Sequence, residues 1–317
     1  AVIRLRPKSK PQAIRHGFPW VFADEAVLDR RTKALPPGGL AVLEDAERQP
    51  LALVTVNPVS KIIARVMDTD PGASIDGAWL RARLTRALQM RERIYDEPFY
   101  RLVHAEADGL PGLVIDRFGD AAVIQPNAAW ADGMAEDIAD ALIEVAGVST
   151  VVLNGQGRSR GLEGLAERLE VIRGAAPTGP VQVRMNGATY LADLLGGQKT
   201  GLFFDQRPNH AFAQRLVDGG SVLDVFSHVG GFGLAALAAG ADSALCIDGS
   251  APALELARGG AAAMGAADRL ETQQSDAFDA LEALVEQGRT FDVVVCDPPA
   301  FAPSKPALEK GLRAYER

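Results

Sequence analysis

Residues 221–240 read SVLDVFSHVGGFGLAALAAG, and the rhythm of that stretch decides the fold. The apolar run SVLDVF predicts a strand. The paired glycines Gly230 and Gly231 open GGFGLAALAAG, which predicts a helix closed by Gly240. The alternation continues downstream. SALCID (243–248) predicts a second strand, and Ser250 is an N-cap for a helix beginning APALELA, with Pro252 in its first turn. LETQQ (270–274), DALEALVEQG (279–288) and FDVVVCD (291–297) add strand, helix and strand. Strands alternating with helices predict a doubly wound parallel sheet, in the spatial order third, second, first, fourth. Ligands of such sheets sit at the carboxyl ends of the strands. Asp224, Asp248, Asp276 and Asp297 stand at or just beyond those ends.

Upstream the pattern is different. LAVLED (40–45) and PLALVTV (50–56) flank the polar turn AERQ as a hairpin, and KIIARVM (61–67) is a further strand. PGAS (71–74) reads as a linker. A helix is expected from about Gly77 to Ile94, with Trp79, Leu80, Leu84, Leu88 and Ile94 on one side and arginines on the other. Beyond it, GLVIDRFGDAAVIQ (112–125) is a hairpin turning at Gly119–Asp120, and MAEDIADALIEVAG (134–147) is an amphipathic helix ended by Gly147. VQVRMNGATYLADL (181–194) turns at Asn186–Gly187. Three segments are expected: a β-rich module over 1–75, an α+β middle domain over 76–198 and the α/β domain over 199–317.

Hydrophobic residues are 47% of the 317, ample for several cores. No apolar run reaches membrane-spanning length and no signal peptide opens the chain, so no membrane partner is expected. Two cysteines exclude a disulfide framework and point to a reducing, cytoplasmic setting. The net charge of −8 argues weakly against nucleic acid, but its distribution matters more. Arg4, Arg6, Lys8, Lys10 and Arg15 open the chain without an acid among them, and Arg81, Arg83, Arg86, Arg91, Arg93 and Arg101 form a second cluster. Each is either a solvated face or a phosphate-contacting surface. His16, His104, His210 and His228 have no metal-ligand spacing, so no metal is expected, and His228 is expected to face solvent.

The glycine loop DVFSHVGGFG is not G-x-G-x-x-G. Asp224 lies six residues before the glycine pair, where a carboxylate would repel a pyrophosphate and welcome an ammonium group. S-adenosyl-L-methionine (SAM) carries an ammonium, a sulfonium and no phosphate. Asp248 stands eighteen residues beyond Gly230, where an acid grips ribose hydroxyls in this architecture. Asp276 could accept from the adenine amino group.

Four stretches carry a resemblance: HGFPWVF (16–22), EADGLPGLVIDRFGD (106–120), GGQKTGLFFDQRPN (196–209), and LDVFSHVGGFGLAAL (223–237) with DPPAF (297–301). They resemble the PUA-containing bacterial 23S rRNA cytosine-C5 methyltransferases, within the class I SAM-dependent methyltransferases. The resemblance implies a PUA-like RNA-binding domain over 1–75, a Rossmann-like catalytic domain over 199–317, and RNA, most specifically 23S rRNA, as partner. It implies that Asp205, Gln206 and Arg207 close over the methionine end of SAM. Asp224, Phe226, Ser227, Gly230, Gly231 and Phe232 would surround the same end, Asp248 and Ser250 the ribose, Asp276 and Ala277 the adenine. Asp297 would face methyl transfer. The helix after Asp248 departs from the family in its adjacent Gly259 and Gly260, which cost helix stability and put local order in doubt.

Cytosine C5 accepts a methyl group only after a thiolate adds to C6. Cys296 precedes Asp297, but strand alternation turns it to the opposite face, so it is expected to be a packing residue, as is Cys246. In the resembling family the nucleophilic cysteine follows the DPP-x-F motif. Here it is expected beyond Arg317, with further strands covering FDVVVCD, which would otherwise be a bare edge. Pro298 and Pro299 present carbonyls rigidly, and Phe301 either stacks on a substrate base or fills a core. DPPAF also approaches the loop of amino-group methyltransferases, so N-methylation of guanine or adenine is the alternative chemistry. An RNA-binding or assembly factor without activity is the alternative class. Nothing in the pattern fixes an oligomeric state.

Overall fold

The structure, a computed structural model, describes residues 1–196, 201–302 and 305–316. The chain falls into two compact units, 1–177 and 178–317. In the first, β1 (Val2–Arg4), β2 (Trp20–Phe22), β3 (Gly39–Glu44), β4 (Pro50–Val56) and β5 (Ile62–Asp68) form a sheet in the order β1-β3-β4-β5-β2. The β3–β4 hairpin forms where expected. The Asp45 carboxylate receives the Glu47 and Gln49 N–H groups and closes its turn. Ile3, Val21, Leu43, Val54 and Ile63 alternate inward to make the core.

A second sheet comes next in the chain, in the order β10-β9-β8-β7-β6. Its strands are β6 (Phe99–His104), β7 (Leu113–Phe118), β8 (Ala121–Pro126), β9 (Thr150–Asn154) and β10 (Leu169–Arg173). The helices Gly77–Glu92 and Ala135–Ala146 bury Leu80, Leu84, Ile138 and Leu142 in the core of this sheet. Asp76 caps the first helix by accepting from Trp79 N. That helix ends before Ile94, which is 63% exposed rather than on the apolar face.

The second arginine cluster is mostly spent on carboxylates of its own unit. Arg83 pairs with Asp68 at 2.9 Å, Arg91 with Asp108 at 2.7 Å, Arg101 with the fully buried Asp116 at 2.9 Å and Arg81 with Glu144 at 3.3 Å. A phosphate surface built on the whole cluster is therefore not what these side chains make. Buried Glu163 ties β4–β5 to the segment after β9: it accepts from Asn57 Nδ2 at 2.9 Å, Ser60 Oγ at 2.7 Å and Arg65 Nη2 at 2.7 Å.

In the second unit, β11 (Val181–Met185) and β12 (Ala188–Ala192) form the expected hairpin. Its turn places Asn186 and Gly187 at φ 53° and 76°, which suits the right-handed strand twist. The expected boundary at 198/199 falls at residues outside those described. The hairpin before it packs against the helices Gly231–Ala238 and Ala251–Ala263, so it belongs with the α/β domain rather than with the middle domain. The parallel sheet has β13 (Ser221–Val225), β14 (Ser243–Asp248), β15 (Leu270–Gln274) and β16 (Val293–Cys296) in the order β15-β14-β13-β16.

Two expectations change here. The Gly259–Gly260 pair does not break its helix, which runs unbroken from Ala251 to Ala263. A Cβ on Gly260 would stand 2.7 Å from the Thr189 carbonyl oxygen, and one on Gly259 would strike Leu191. The glycines let the helix approach β12. Cys296, expected to be a packing residue, is exposed, and Val294 beside it is 57% exposed, because β13 is the only partner of β16 among the described residues.

Candidate active site

β13 leads into a loop that only an unusual backbone can make. Phe226 and His228 adopt φ of 63° and 50°, and Gly230 adopts 79° before the helix Gly231–Ala238 begins. Non-glycine residues in this region carry strain that the surroundings must offset. Two carboxylates hold the loop. Asp224, 1% exposed, accepts from Phe232 N at 3.1 Å and Gly233 N at 2.8 Å at the start of the helix. Asp248, at the end of β14, accepts from His228 N and Ser250 N, both at 2.8 Å. Ser250 then caps the next helix through Ala253 N.

The loop forms one wall of a cavity of about 660 Å³, a size suited to a nucleoside-sized ligand. The cavity brings together eleven of the residues singled out in the sequence: Asp205, Gln206, Phe226, Ser227, Gly231, Phe232, Asp248, Ser250, Asp297, Pro298 and Pro299. Six others do not line it. Asp224 lies beneath the loop, and Gly230 packs toward Ala257 and Leu234. Arg207 opens the helix Arg207–Gln214, and its carbonyl receives Asn186 Nδ2 at 2.9 Å. Asp276 is spent as an N-cap, accepting from Phe278 N and Asp279 N, and Ala277 is buried in the core behind β14.

Phe301, the sixth, is packed rather than presented. Its ring centroid lies 6.1 Å from Phe226, 5.8 Å from Phe278 and 4.9 Å from Tyr315, and its N–H donates to the Tyr315 hydroxyl at 3.1 Å. Gly311 lets the helix Leu308–Glu316 come this close, since a Cβ there would stand 2.6 Å from that of Ala302. The aromatic wedge thus joins the DPPAF loop to the glycine loop.

The cavity also contains residues to which the sequence reading gave no ligand role: Leu202, Phe203, His210, His228 and Ala300. His228 faces the cavity, not only solvent, with Phe203 edge-on at 5.0 Å. His210 is 5% exposed, stacked 6.1 Å from Tyr190 and edge-on to Phe232 at 4.6 Å. Its Nε2 stands 2.7 Å from where a Cβ on Gly231 would be. Tyr190 donates to the Gly231 carbonyl at 2.9 Å. The one local signal for His210 was its place in the DQRPNH run, three residues after Arg207.

Burial sets the protonation of this floor. It pushes the Asp224 carboxyl up to about 7, against the two N–H donors, with Asp248 and Asp297 adding to the rise. It holds the His210 imidazole down to about 4, against the pull of Asp205. Asp224 Oδ1, Ser227 Oγ and His210 Nδ1 are buried without a hydrogen-bond partner. Three carboxylates, those of Asp205, Asp248 and Asp297, line the cavity, and no lysine or arginine does among the described residues. Such a set of acceptors repels a pyrophosphate and fits a cationic ligand with ribose hydroxyls. No group of acids, histidines and cysteines among the described residues could hold a metal ion.

Comparison with known proteins agrees with this geometry. A family described as a PUA-like domain matches residues 3–69, and one described as conserved hypothetical protein 95 matches 206–313. Solved structures share the fold. A protein from Streptococcus mutans described as SAM-dependent methyltransferase superposes with a TM-score of 0.79 at 17% identity, over 98% of this chain and 82% of that one. A methyltransferase-type protein solved with S-adenosylhomocysteine, SMU.776, gives 0.78 at 18% identity, over 96% and 77%. Sequence relatives are nearer. Ribosomal RNA large subunit methyltransferase I of Shewanella amazonensis is 36% identical over 99% of this chain and 80% of its own length. That of Vibrio cholerae is 34% identical over 98% and 79%. With its fold, its acid-lined cavity and this identity along nearly all its length, the chain belongs to the ribosomal RNA large subunit methyltransferase I family of SAM-dependent methyltransferases.

Proposed function

We propose that the protein methylates C5 of a cytosine in 23S rRNA, using SAM. The observation that carries this is the convergence of two loops on one cavity: Asp248 with the glycine loop on one side, Asp297–Pro298–Pro299 on the other. Bound SAM supplies an electrophilic methyl group on a sulfonium. The acids of the cavity favour its positive charge, and Asp248 is placed to take the ribose hydroxyls while it braces His228 and Ser250. Asp205 and Gln206 close the methionine side, with Gln206 Oε1 held by Asn209 Nδ2 at 2.7 Å. Asp297 accepts hydrogen bonds from the substrate base, and the two prolines fix the backbone that carries it.

Thiolate addition at C6 needs a cysteine with a lowered pKa. Partial burial and the charge of Asp297 push the Cys296 thiol up. Cys246 is fully buried and raised further by burial and Asp224. Neither environment favours a thiolate, so we assign the nucleophile's role to neither. The test is transfer of labelled methyl to 23S rRNA, digestion to nucleosides and mass spectrometry of the product. 5-Methylcytidine is expected. A methyl group on an exocyclic amine would replace this reading with N-methylation, and no transfer with retained SAM binding would leave an RNA-binding factor. RNA carrying 5-fluorocytosine should trap no adduct at Cys296 or Cys246.

A further inference from the structure

We propose that an exposed aromatic ladder, Phe18–Trp20–Phe22, is a stacking platform for unpaired RNA bases. The proposal rests on the RNA-substrate reading above and adds a contact that the cavity does not provide. β2 is the edge strand of the first sheet. Val21 points into the core at 1% exposure, so Trp20 and Phe22 share the opposite face by alternation. Phe18 joins from the preceding loop. The ring centroids lie 6.2 and 6.3 Å apart in edge-to-face contact.

The outer rings, Phe18 and Phe22, are 42% and 37% exposed. Clustered exposed rings of this kind mark a binding surface. The middle ring is fixed from behind. Trp20 Nε1 donates to Glu106 at 2.8 Å, and Arg65, its cross-strand neighbour, pairs with the same carboxylate. The ladder is therefore preorganised, and a ligand need not order it.

Charge selects the partner. Residues 1–69 hold eleven lysines and arginines against seven acids, in a chain whose net charge is −8. Lys8, Lys10 and Lys61 make no ion pair among the described residues. Lys61 adjoins the end of β2, where its carbonyl accepts from Ala23 N. Aromatic faces set in a cationic module fit a polyanion with exposed π-faces. Unpaired RNA has them, and a duplex hides them in its stack.

The test is anisotropy of a labelled single-stranded ribo-oligonucleotide of mixed sequence, and of its duplex, against the full chain. The single strand should bind tighter. Phe18→Ala and Phe22→Ala should each weaken it about 10-fold, with a much smaller effect on the duplex. Phe18→Tyr should restore binding and Phe18→Leu should not, which separates stacking from apolar contact. Variants that bind the single strand like the wild type overturn the ladder while methyl transfer to rRNA, measured separately, still judges the RNA reading. A loss of self-association on sedimentation of the Phe18→Ala variant, with RNA affinity unchanged, would assign the patch to a second copy of the chain and also overturn the proposal.

Discussion

The ends of β13 and β16 offer the same side chain on neighbouring parallel strands, and the two carboxylates meet opposite surroundings. Asp224 is inside β13, 1% exposed, and spends one oxygen on the first turn of the following helix. Asp297 follows β16 and is exposed at the cavity, with only its backbone N–H tied back, to Val225 O at 3.4 Å. The first carboxylate shapes the loop, and the second opens on the cavity, where the proposed substrate contact requires it. A strand-end acid is thus not a role in itself. Depth decides whether its lone pairs go to the backbone or to a ligand.

The largest expected effect falls at the exposed end. Asp297→Ala should lower the methyl-transfer rate by about 10²–10⁴-fold, the range for losing a positioned acid–base group, with SAM affinity from calorimetry unchanged. Lost SAM binding would make the two acids equivalent and break the contrast. At the buried end, Asp224→Ala should cost about 2–4 kcal/mol of unfolding free energy in urea, because the part-buried Phe232 N–H and the buried Gly233 N–H lose their acceptor. Asp224→Asn keeps an acceptor and should cost far less. Asp248→Ala should weaken SAM binding by about 1–3 kcal/mol, since the loop brace and the proposed ribose contact are lost together.

Acid titration of stability sharpens the comparison. The folded Asp224 titrates near 7 and the unfolded carboxyl near 3.8, so the folded state holds an extra proton between them and stability falls as pH rises through that window. His210 is opposite: folded near 4 and unfolded near 6.5, it loses stability as pH falls from about 6.5 towards 4. The two slopes oppose each other in the wild type. In the Asp224→Asn variant the histidine slope should stand alone, and the melting temperature should fall steadily on acidification from pH 6.5 to 4. A flat profile in that variant would mean that His210 is not held neutral by burial.

The smallest effects concern the supports of β16. Tyr315→Phe removes one hydrogen bond to Phe301 N and should cost about 1 kcal/mol, read as a lower transfer rate at unchanged SAM affinity. Cys296→Ala, at an exposed site, should change stability by less than about 0.5 kcal/mol and leave transfer intact.

Much of this was legible in the residues because the signals are local. The strand, glycine loop and helix of 221–240, the Asn186–Gly187 turn and the Ser250 cap each depend on neighbours a few positions away. The order of the parallel strands comes from the same alternation. In the candidate site, Asp248 and Asp297 were legible because a strand end in this architecture opens on the ligand edge. His210 was not, because what makes it part of the floor is the space left by Gly231 and the ring of Tyr190, distant in sequence.

Sequence alone therefore determined the doubly wound sheet, its hairpins and caps, and the set of acids from which a SAM site could be built. Tertiary structure decided which acid is buried, that Asp276 caps a helix and leaves the cavity, and that four of the six arginines of the second cluster answer carboxylates of their own unit. It also turned Gly259–Gly260 from an apparent helix breaker into the surface that receives β12. The physical reason is range: backbone propensity and capping act over a few residues, whereas burial, ion pairing and close approach depend on segments that only the folded chain brings together.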